Sequence, residues 1–172
     1  VPAPRQQPAP GRQVAVVDID GVLADVRHRL HHVRESPKDW GAFFAAARHD
    51  PPLAEGLEVV RRLAEVYGIV YLSGRPEQCR RDTEEWFRRH GLPEGELRLR
   101  PARDRRPARV LKVAELRRIA RDAEVVVHVD DDPEVVAASR AAGFDVLPAT
   151  WMPEDRDDAV ALRRAQEEDG RS

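Results

Sequence analysis

The sequence predicts an α/β fold: a mostly parallel, five-stranded sheet with helices on both faces. Two observations predict it. Short apolar runs of strand length alternate with segments of helical periodicity, and proline and glycine mark the boundaries between them. Polar and acidic residues also cluster just after several of the apolar runs, where ligands gather in parallel sheets. A chain of 172 residues suits one domain, and a hydrophobic content of 41% is enough to build a core. Charged residues reach 35% with a net charge of −2, which gives a solvated surface of mixed sign. No apolar run approaches the ~20 residues that a bilayer crossing needs, so no membrane partner is expected. No secretion signal is legible. A single cysteine, Cys79, excludes a disulfide framework and a multi-cysteine zinc site, and a cytoplasmic setting is expected. A pI of about 6.3 leaves no global basic footprint for nucleic acid, so any such contact must be local.

The elements follow in order. Residues 1–12 hold Pro2, Pro4, Pro8 and Pro10 and read as an extended leader; 13–152 form the domain, with 24–67 as a small helical insertion, and 153–172 form a polar tail. Val14–Val17 is the first strand. Lys38–Arg48 and Leu57–Tyr67 read as helices, and Ile69–Leu72 is the second strand. Pro76–His90 begins with proline and is followed by Gly91, the punctuation of a helix. Leu97–Leu99 is a short third strand. Ala108–Ala120 places Val110, Leu111, Val113, Ala114 and Leu116 at helical spacing. Val125–Val129 is the fourth strand. Pro133–Ala142 is a helix capped by Asp132 and ended by Gly143, and Phe144–Leu147 is the fifth strand. A last helix is predicted around Asp157–Gln166. The aromatic residues Trp40, Phe43, Phe44, Trp86 and Phe87 fall at helical spacing and read as core; Cys79 reads as an inert residue within a helix.

Three strand ends carry chemistry. After the first strand, Asp18-Ile19-Asp20-Gly21-Val22 points two carboxylates to one side of an extended chain. Two such groups repel unless a cation lies between them or one is protonated. The pair therefore suits a metal site or a nucleophile with a general acid, and a plain polar turn is the competing reading. After the second strand, Ser73-Gly74-Arg75-Pro76 offers a hydroxyl, a guanidinium fork and a helix start, all suited to phosphate. A capped loop would use the same residues. After the fourth strand, Asp130-Asp131-Asp132 places two carboxylates beyond the one needed for capping, and oxygen-only ligands favour Mg²⁺. Of 29 basic residues only Lys38 and Lys112 are lysines, so Lys112, on the helix before the fourth strand, stands out as a compact ammonium.

In this order, Asp18-Ile19-Asp20-Gly21-Val22, Ser73, Lys112 and Asp130-Asp131 resemble the four motifs of the haloacid dehalogenase superfamily of phosphatases, over roughly Val14 to Leu147. Ser73-Gly74-Arg75, the approach Val110-Leu111-Lys112 and the Asp130-Asp131 pair are similar to the 3′-phosphatase domain of polynucleotide kinase–phosphatases. No G-x-x-x-x-G-K-[ST] loop occurs, so the chain carries no fused kinase of that type. The resemblance implies a Rossmann-like fold with a minimal cap and a Mg²⁺-dependent phosphomonoesterase. It makes Asp18 the nucleophile that forms an aspartyl-phosphate and Asp20 the general acid and base. It assigns Mg²⁺ to Asp18, the backbone carbonyl of Asp20 and the Asp130-Asp131 pair, with Asp131 the direct ligand and Asp130 orienting water or Lys112. Ser73 and Lys112 would hold the phosphoryl oxygens, and Gly74 and Arg75 would complete the phosphate or strand contact.

Substrate choice depends on what surrounds these residues. The insertion holds about two helices and the gap from Gly91 to Pro107 is short, which predicts an open site suited to a polymer end. Arg27, His28 and His31 lie just beyond Asp20 and are candidates for substrate contact; His28 and His32 stand at the spacing of a shared helix face, as a metal pair or a solvated surface. Arg98, Arg100, Arg103, Arg105, Arg106 and Arg109 form the one local basic stretch, suited to a phosphodiester backbone or to solvent alone. The expected substrate is a phosphomonoester, in the first place a nucleic-acid 3′ end. A small-molecule phosphatase and a non-catalytic phosphate-binding module are the alternatives.

Overall fold

The computed structural model describes residues 11–34 and 36–152. The predicted helix around Asp157–Gln166 and residues 1–10 of the leader lie outside the described residues. Five parallel strands make one sheet in the order β3-β2-β1-β4-β5: β1 Gln13–Val17, β2 Gly68–Pro76, β3 Gly95–Arg100, β4 Glu124–Asp130 and β5 Val146–Pro148. The chain builds outward from β1 through β2 to β3, then returns to the other side of β1 for β4 and β5. The order therefore reverses at β1, and the crevice between the carboxyl ends of β1 and β4 is the natural ligand site.

The helices are α1 His31–Arg34, α2 Trp40–Ala46, α3 Ala54–Ala64, α4 Arg80–His90, α5 Ala108–Ile119 and α6 Pro133–Ala141. Burial of the sheet on both faces explains the apolar runs of its central strands: Val14, Val16, Val70 and Leu72 pack with Leu116, Ile119 and Ala123 on one side. Ala15, Val17, Ile69 and Tyr71 pack with Leu57, Val60 and Trp86 on the other. Caps act where the sequence predicts them. The Asp132 side chain accepts from Glu134 N at 2.8 Å, and Gly91 closes α4 with φ +62°.

Several boundaries differ from the sequence reading. Pro76 does not open a helix. It pairs in register with Arg100 as the last residue of β2, and a short 3-10 turn, Glu77–Cys79, precedes α4. The phosphate-facing helix start expected at Pro76 is thus displaced to Arg80, and Ser73, Gly74 and Arg75 lie on a strand extension. Proline tolerates this because the register shifts between Leu72 and Pro76, where no ladder N–H is required. The predicted Leu57–Tyr67 helix starts earlier, at Ala54, and packs Leu57 and Val60 into the sheet layer, so the inserted part with its own packing is shorter than 24–67. Within the inserted part Val26, Leu30, Val33, Trp40, Phe43 and Phe44 form a separate cluster, joined by Cys79 from the turn before α4. The aromatic residues expected in the core are there, Trp86 fully buried and Phe87 partly so, and burial pushes the Cys79 thiol up to about 11.

The insertion is stitched to the turn after β1 by Asp25 N to Pro51 O and Leu53 N to Leu23 O, both 2.8 Å. Trp151 Nε1 donates to Val22 O at 2.8 Å, and Gly56 of α3 lies so close that an added Cβ would stand 1.8 Å from the same oxygen. Gly56→Ala is expected to destabilise the protein by about 2 kcal/mol, because overpacking against backbone outweighs the better helix propensity of alanine. Urea denaturation checks this; an unchanged or higher midpoint would mean that α3 does not fix the β1 turn.

Candidate active site

Residues Asp18 to Ala24 form a tight turn in which Leu23 N and Ala24 N both donate to Ile19 O, at 2.8 and 2.9 Å. Gly21 is required twice over in this turn. Its φ is +78°, and a Cβ there would stand 2.2 Å from Asp131 Oδ2. That close approach places the Asp131 carboxylate against the β1 turn. Asp18 N donates to Val129 O at 2.9 Å, which brings the ends of β1 and β4 together.

Two charge clusters result, and they differ in balance. The first holds Asp18, Asp130, Asp131 and Lys112. Carboxylate oxygens of the three aspartates lie within 4.8 Å of one another. Buried Lys112, reaching in from α5, donates to Asp18 Oδ2 and to Asp130 Oδ2, each at 2.7 Å. Asp130 is engaged through its other oxygen by Asp132 N at 3.0 Å, and His128 Nε2 lies 3.3 Å from its Oδ2. Asp18 Oδ1 is buried with no hydrogen-bond partner, and among the described residues Asp131 makes no hydrogen bond or ion pair. With all three carboxylates ionised against one ammonium, the cluster would carry two negative charges in excess.

The titration shifts express that excess. Burial pushes the Asp18 carboxyl up to about 7 against the pull of Lys112, and the Asp130 charge adds to the rise. Burial and the charges of Asp130 and Asp18 raise Asp131 well above the usual carboxylate range. Asp130 goes the other way, to about 2, because Lys112 and His128 outweigh the burial that opposes them. The ammonium of Lys112 is raised by Asp130 and Asp18 in spite of burial. An all-oxygen donor set with an orphaned oxygen on Asp18 and an unpaired Asp131 fits a hard divalent cation.

The second cluster is balanced. Asp20 and Asp50 face Arg29 and Arg75. Arg29 donates through Nε and Nη2 to Asp50 at 2.8 Å each and through Nη2 to Asp20 at 2.9 Å. Arg75 donates through Nε and Nη2 to Asp20, at 2.9 and 2.5 Å, and through Nη2 to Asp50 at 2.9 Å. Its remaining Nη1 donates to Thr83 Oγ1 at 3.3 Å. Burial acts to raise the Asp20 carboxyl, but Arg29 and Arg75 hold it well below the usual range. The Arg29 guanidinium also lies 4.2 Å over the Phe43 ring, and Trp86 Nε1 holds the Asp50 carbonyl at 2.8 Å.

The structure thus brings Asp18, Asp20, Ser73, Arg75, Lys112, Asp130 and Asp131 to one end of the sheet. Several sequence expectations change in detail. The Asp20 side chain points to the arginines and stands apart from the three-aspartate cluster. The fork of Arg75 is taken up by Asp20 and Asp50, and so is not open to phosphate. Ser73 Oγ accepts from Arg75 N at 3.2 Å, which leaves its hydroxyl hydrogen to donate. Arg27 pairs with Asp25 at the surface and does not enter the site. His28 bonds Asp50 Oδ1 at 2.7 Å and buttresses the arginine pair. His31 is exposed and its ring lies tilted against that of His32, the centroids 3.9 Å apart; among the described residues the histidines form no metal-ligand group. Arg29 and Asp50 were not singled out from sequence. Arg29 looks like one member of a surface run, and Asp50 sits alone before Pro51.

A carboxyl whose folded pKa lies above its unfolded value of 3.8 binds more protons when folded, so it lowers stability as pH rises through that window. In metal-free protein, Asp18→Asn is therefore expected to raise Tm more at about pH 7.5 than at about pH 4.5. Thermal denaturation across pH measures it, and a pH-independent difference would refute the strain on Asp18.

Comparisons with known proteins bear on the family and the fold. A family model described as the polynucleotide kinase PNKP phosphatase domain matches residues 12–150. A chain in the structure of the Pnkp1/Rnl/Hen1 complex is similar in fold, with TM-score 0.64 and 21% identity over 79% of this chain and 45% of that one. A chain in the Pnkp1/Rnl/Hen1 RNA repair complex gives TM-score 0.67 and 21% identity, over 80% and 42%. A haloacid dehalogenase-like hydrolase from Streptococcus pneumoniae gives TM-score 0.57 and 12% identity, over 87% and 90%. The chain spans less than half the length of the two repair-complex chains it matches. No curated protein sequence matches it.

Proposed function

The chain belongs to the family of the polynucleotide kinase PNKP phosphatase domain, a haloacid dehalogenase-type phosphatase, and we propose that it removes 3′-phosphates from nucleic-acid ends through an aspartyl-phosphate on Asp18. The observation that carries the chemistry is the unbalanced cluster: a buried Asp18 oxygen without a partner beside an unpaired Asp131 and a fixed Lys112. The polynucleotide substrate rests on the family match.

Asp18, Asp131 and the backbone carbonyl of Asp20 would hold Mg²⁺. Asp130 takes an indirect role, since its oxygens are already engaged by Lys112 and Asp132 N. When bound, Mg²⁺ neutralises the excess charge of the cluster and withdraws charge from the phosphoryl oxygens. In the first step a carboxylate oxygen of Asp18 attacks phosphorus, the bond from phosphorus to the leaving oxygen breaks, and Asp20 delivers a proton to that oxygen. In the second, Asp20 as a carboxylate takes a proton from water. The water oxygen attacks phosphorus, and inorganic phosphate leaves with Asp18 restored. The Ser73 hydroxyl and the Lys112 ammonium supply positive ends toward the spreading phosphoryl charge. The two arginines on Asp20 favour its ionised form, which suits the second step directly, while the first step draws on the minor protonated form of the same carboxyl.

Wild-type protein with Mg²⁺ is expected to release phosphate faster from a 3′-phosphorylated oligonucleotide than from mononucleotides or an aryl phosphate. Chelation or Asp18→Asn should abolish release from all of them. Equal or faster release from the small esters would keep the chemistry and make the protein a small-molecule phosphatase. Turnover that survives Asp18→Asn would exclude the aspartyl-phosphate route. Asp20→Asn is expected to slow hydrolysis of nucleoside phosphates by about 10²–10⁴-fold, and that of an aryl phosphate, whose leaving group needs no proton, by less. Single-turnover measurements on both substrate types compare the two losses, and equal losses would remove Asp20 from proton delivery.

A further inference from the structure

Beside the segment that carries Ser73 and Arg75 lies a pocket of about 210 Å³, walled by Gly74, Pro76 and Gln78 on one side and by Arg100, Pro101, Ala102 and Arg105 on the other, with Phe44 of the insertion at its edge. Nothing in the chemistry above uses it. From this pocket we infer a nucleotide subsite: it takes one nucleotide of the strand whose 3′ end lies at Asp18, with Arg105 on an internucleotide phosphate. The inference rests on the 3′-phosphatase reading.

Four observations lead there. The pocket shares Gly74 with the Ser73–Arg75 segment and includes Pro76 next to it, so it borders that segment on the side of β3. Its wall is built, not draped. Buried Arg100 at the end of β3 donates to Gly74 O at 3.2 Å and to Arg106 O at 2.7 Å, and the Asp104 carboxylate holds Arg106 at 2.5 Å. These contacts fix the 101–106 loop, which supplies Pro101, Ala102 and Arg105 to the lining. Arg103 and Arg105 of that loop are both exposed and without a hydrogen bond or ion pair among the described residues, and of the two it is Arg105 that lines the pocket. An unpaired guanidinium beside a phosphate-handling segment is a receptor for a second phosphate. The rest of the lining suits the nucleoside attached to it. Gln78 is likewise exposed and unpaired, with an amide that can both donate to and accept from a base edge, and Pro76 and Pro101 offer flat apolar faces to a ring. Phe44 is buried among its own neighbours and closes the pocket without offering a stacking face. A volume of about 210 Å³ suits the base of that nucleotide, with its sugar and phosphate outside at exposed Arg105, and a plain anion would use neither Gln78 nor the prolines.

The test is binding of fluorescently labelled single-stranded hexanucleotides, DNA and RNA, ending in a 3′-hydroxyl. Wild type is compared with Arg105→Ala and with Ala102→Trp, which fills the pocket without changing charge. Both positions are exposed, and circular dichroism and Tm verify the fold. Arg105→Ala is expected to weaken binding on the order of fivefold. It should also reduce the slope of log affinity against log salt by about 0.7, the share of one phosphate on a single strand. Ala102→Trp should weaken binding with the slope nearly kept. In turnover, both should raise KM for a 3′-phosphorylated oligonucleotide more than KM for a nucleoside 3′-phosphate. Wild-type affinity in both variants, or no strand binding by the wild type, overturns the subsite. Strand binding that depends on Arg105 without any release of 3′-phosphate would leave the subsite standing and remove the 3′-phosphatase reading. Release of 3′-phosphate indifferent to both variants would do the reverse.

Discussion

The constraint on which this site depends is the burial of like charges at the mouth of a parallel sheet. Asp18 and Asp130 end neighbouring strands, and Asp131 is pressed against the β1 turn by the absence of a side chain at Gly21. Such a cluster is expensive in a region of low dielectric, where neutralisation or pairing must follow. Lys112 pairs with only two of the three carboxylates. Asp18 and Asp131 stay poised with raised pKa values, and the cluster is left suited to a divalent cation and an incoming phosphoryl group.

The second cluster shows the contrasting solution. Asp20 and Asp50 are matched by Arg29 and Arg75, and the guanidinium forks give each carboxylate several directed bonds. This network links three parts of the chain that are distant in sequence: the β1 turn, the insertion and the end of β2. It also fixes Asp20 at a defined distance from the unbalanced cluster. Balance in one cluster supplies rigidity, and imbalance in the other supplies chemistry. The insertion therefore does more than cover the site, since Arg29 and Asp50 belong to it.

Much of this was legible along the chain. The strand ends announced Asp18, Asp20, Ser73 and Asp130-Asp131, because carboxylates directly after buried apolar runs need a reason to be there. Lys112 stood out in a chain that otherwise uses arginine. Arg29 was not distinguishable from Arg27 and His28, because all three lie within one short basic run; a 3-10 turn buries Arg29, leaves Arg27 at the surface and turns the half-exposed His28 ring onto Asp50. Asp50 had no local pattern at all. The role given to Arg75 changed for a related reason, since its fork was filled by partners whose positions depend on the insertion. Pro76 misled because a proline after a strand reads as a helix start, whereas here the strand runs on to pair with Arg100.

Local sequence therefore determined the alternation of strands and helices, the reversal point at which ligands gather, and the residues placed directly on strand ends. Those features follow from periodicity and from burial of apolar runs, both of which act over a few residues. The tertiary structure alone decided which charges meet. Pairing of Asp20 with Arg29 and Arg75, the orphaning of one Asp18 oxygen, and the placing of an unpaired Arg105 at the pocket all depend on contacts between distant segments. Ion pairing is a property of position in space, and a guanidinium reads the same in sequence whether it is matched or free.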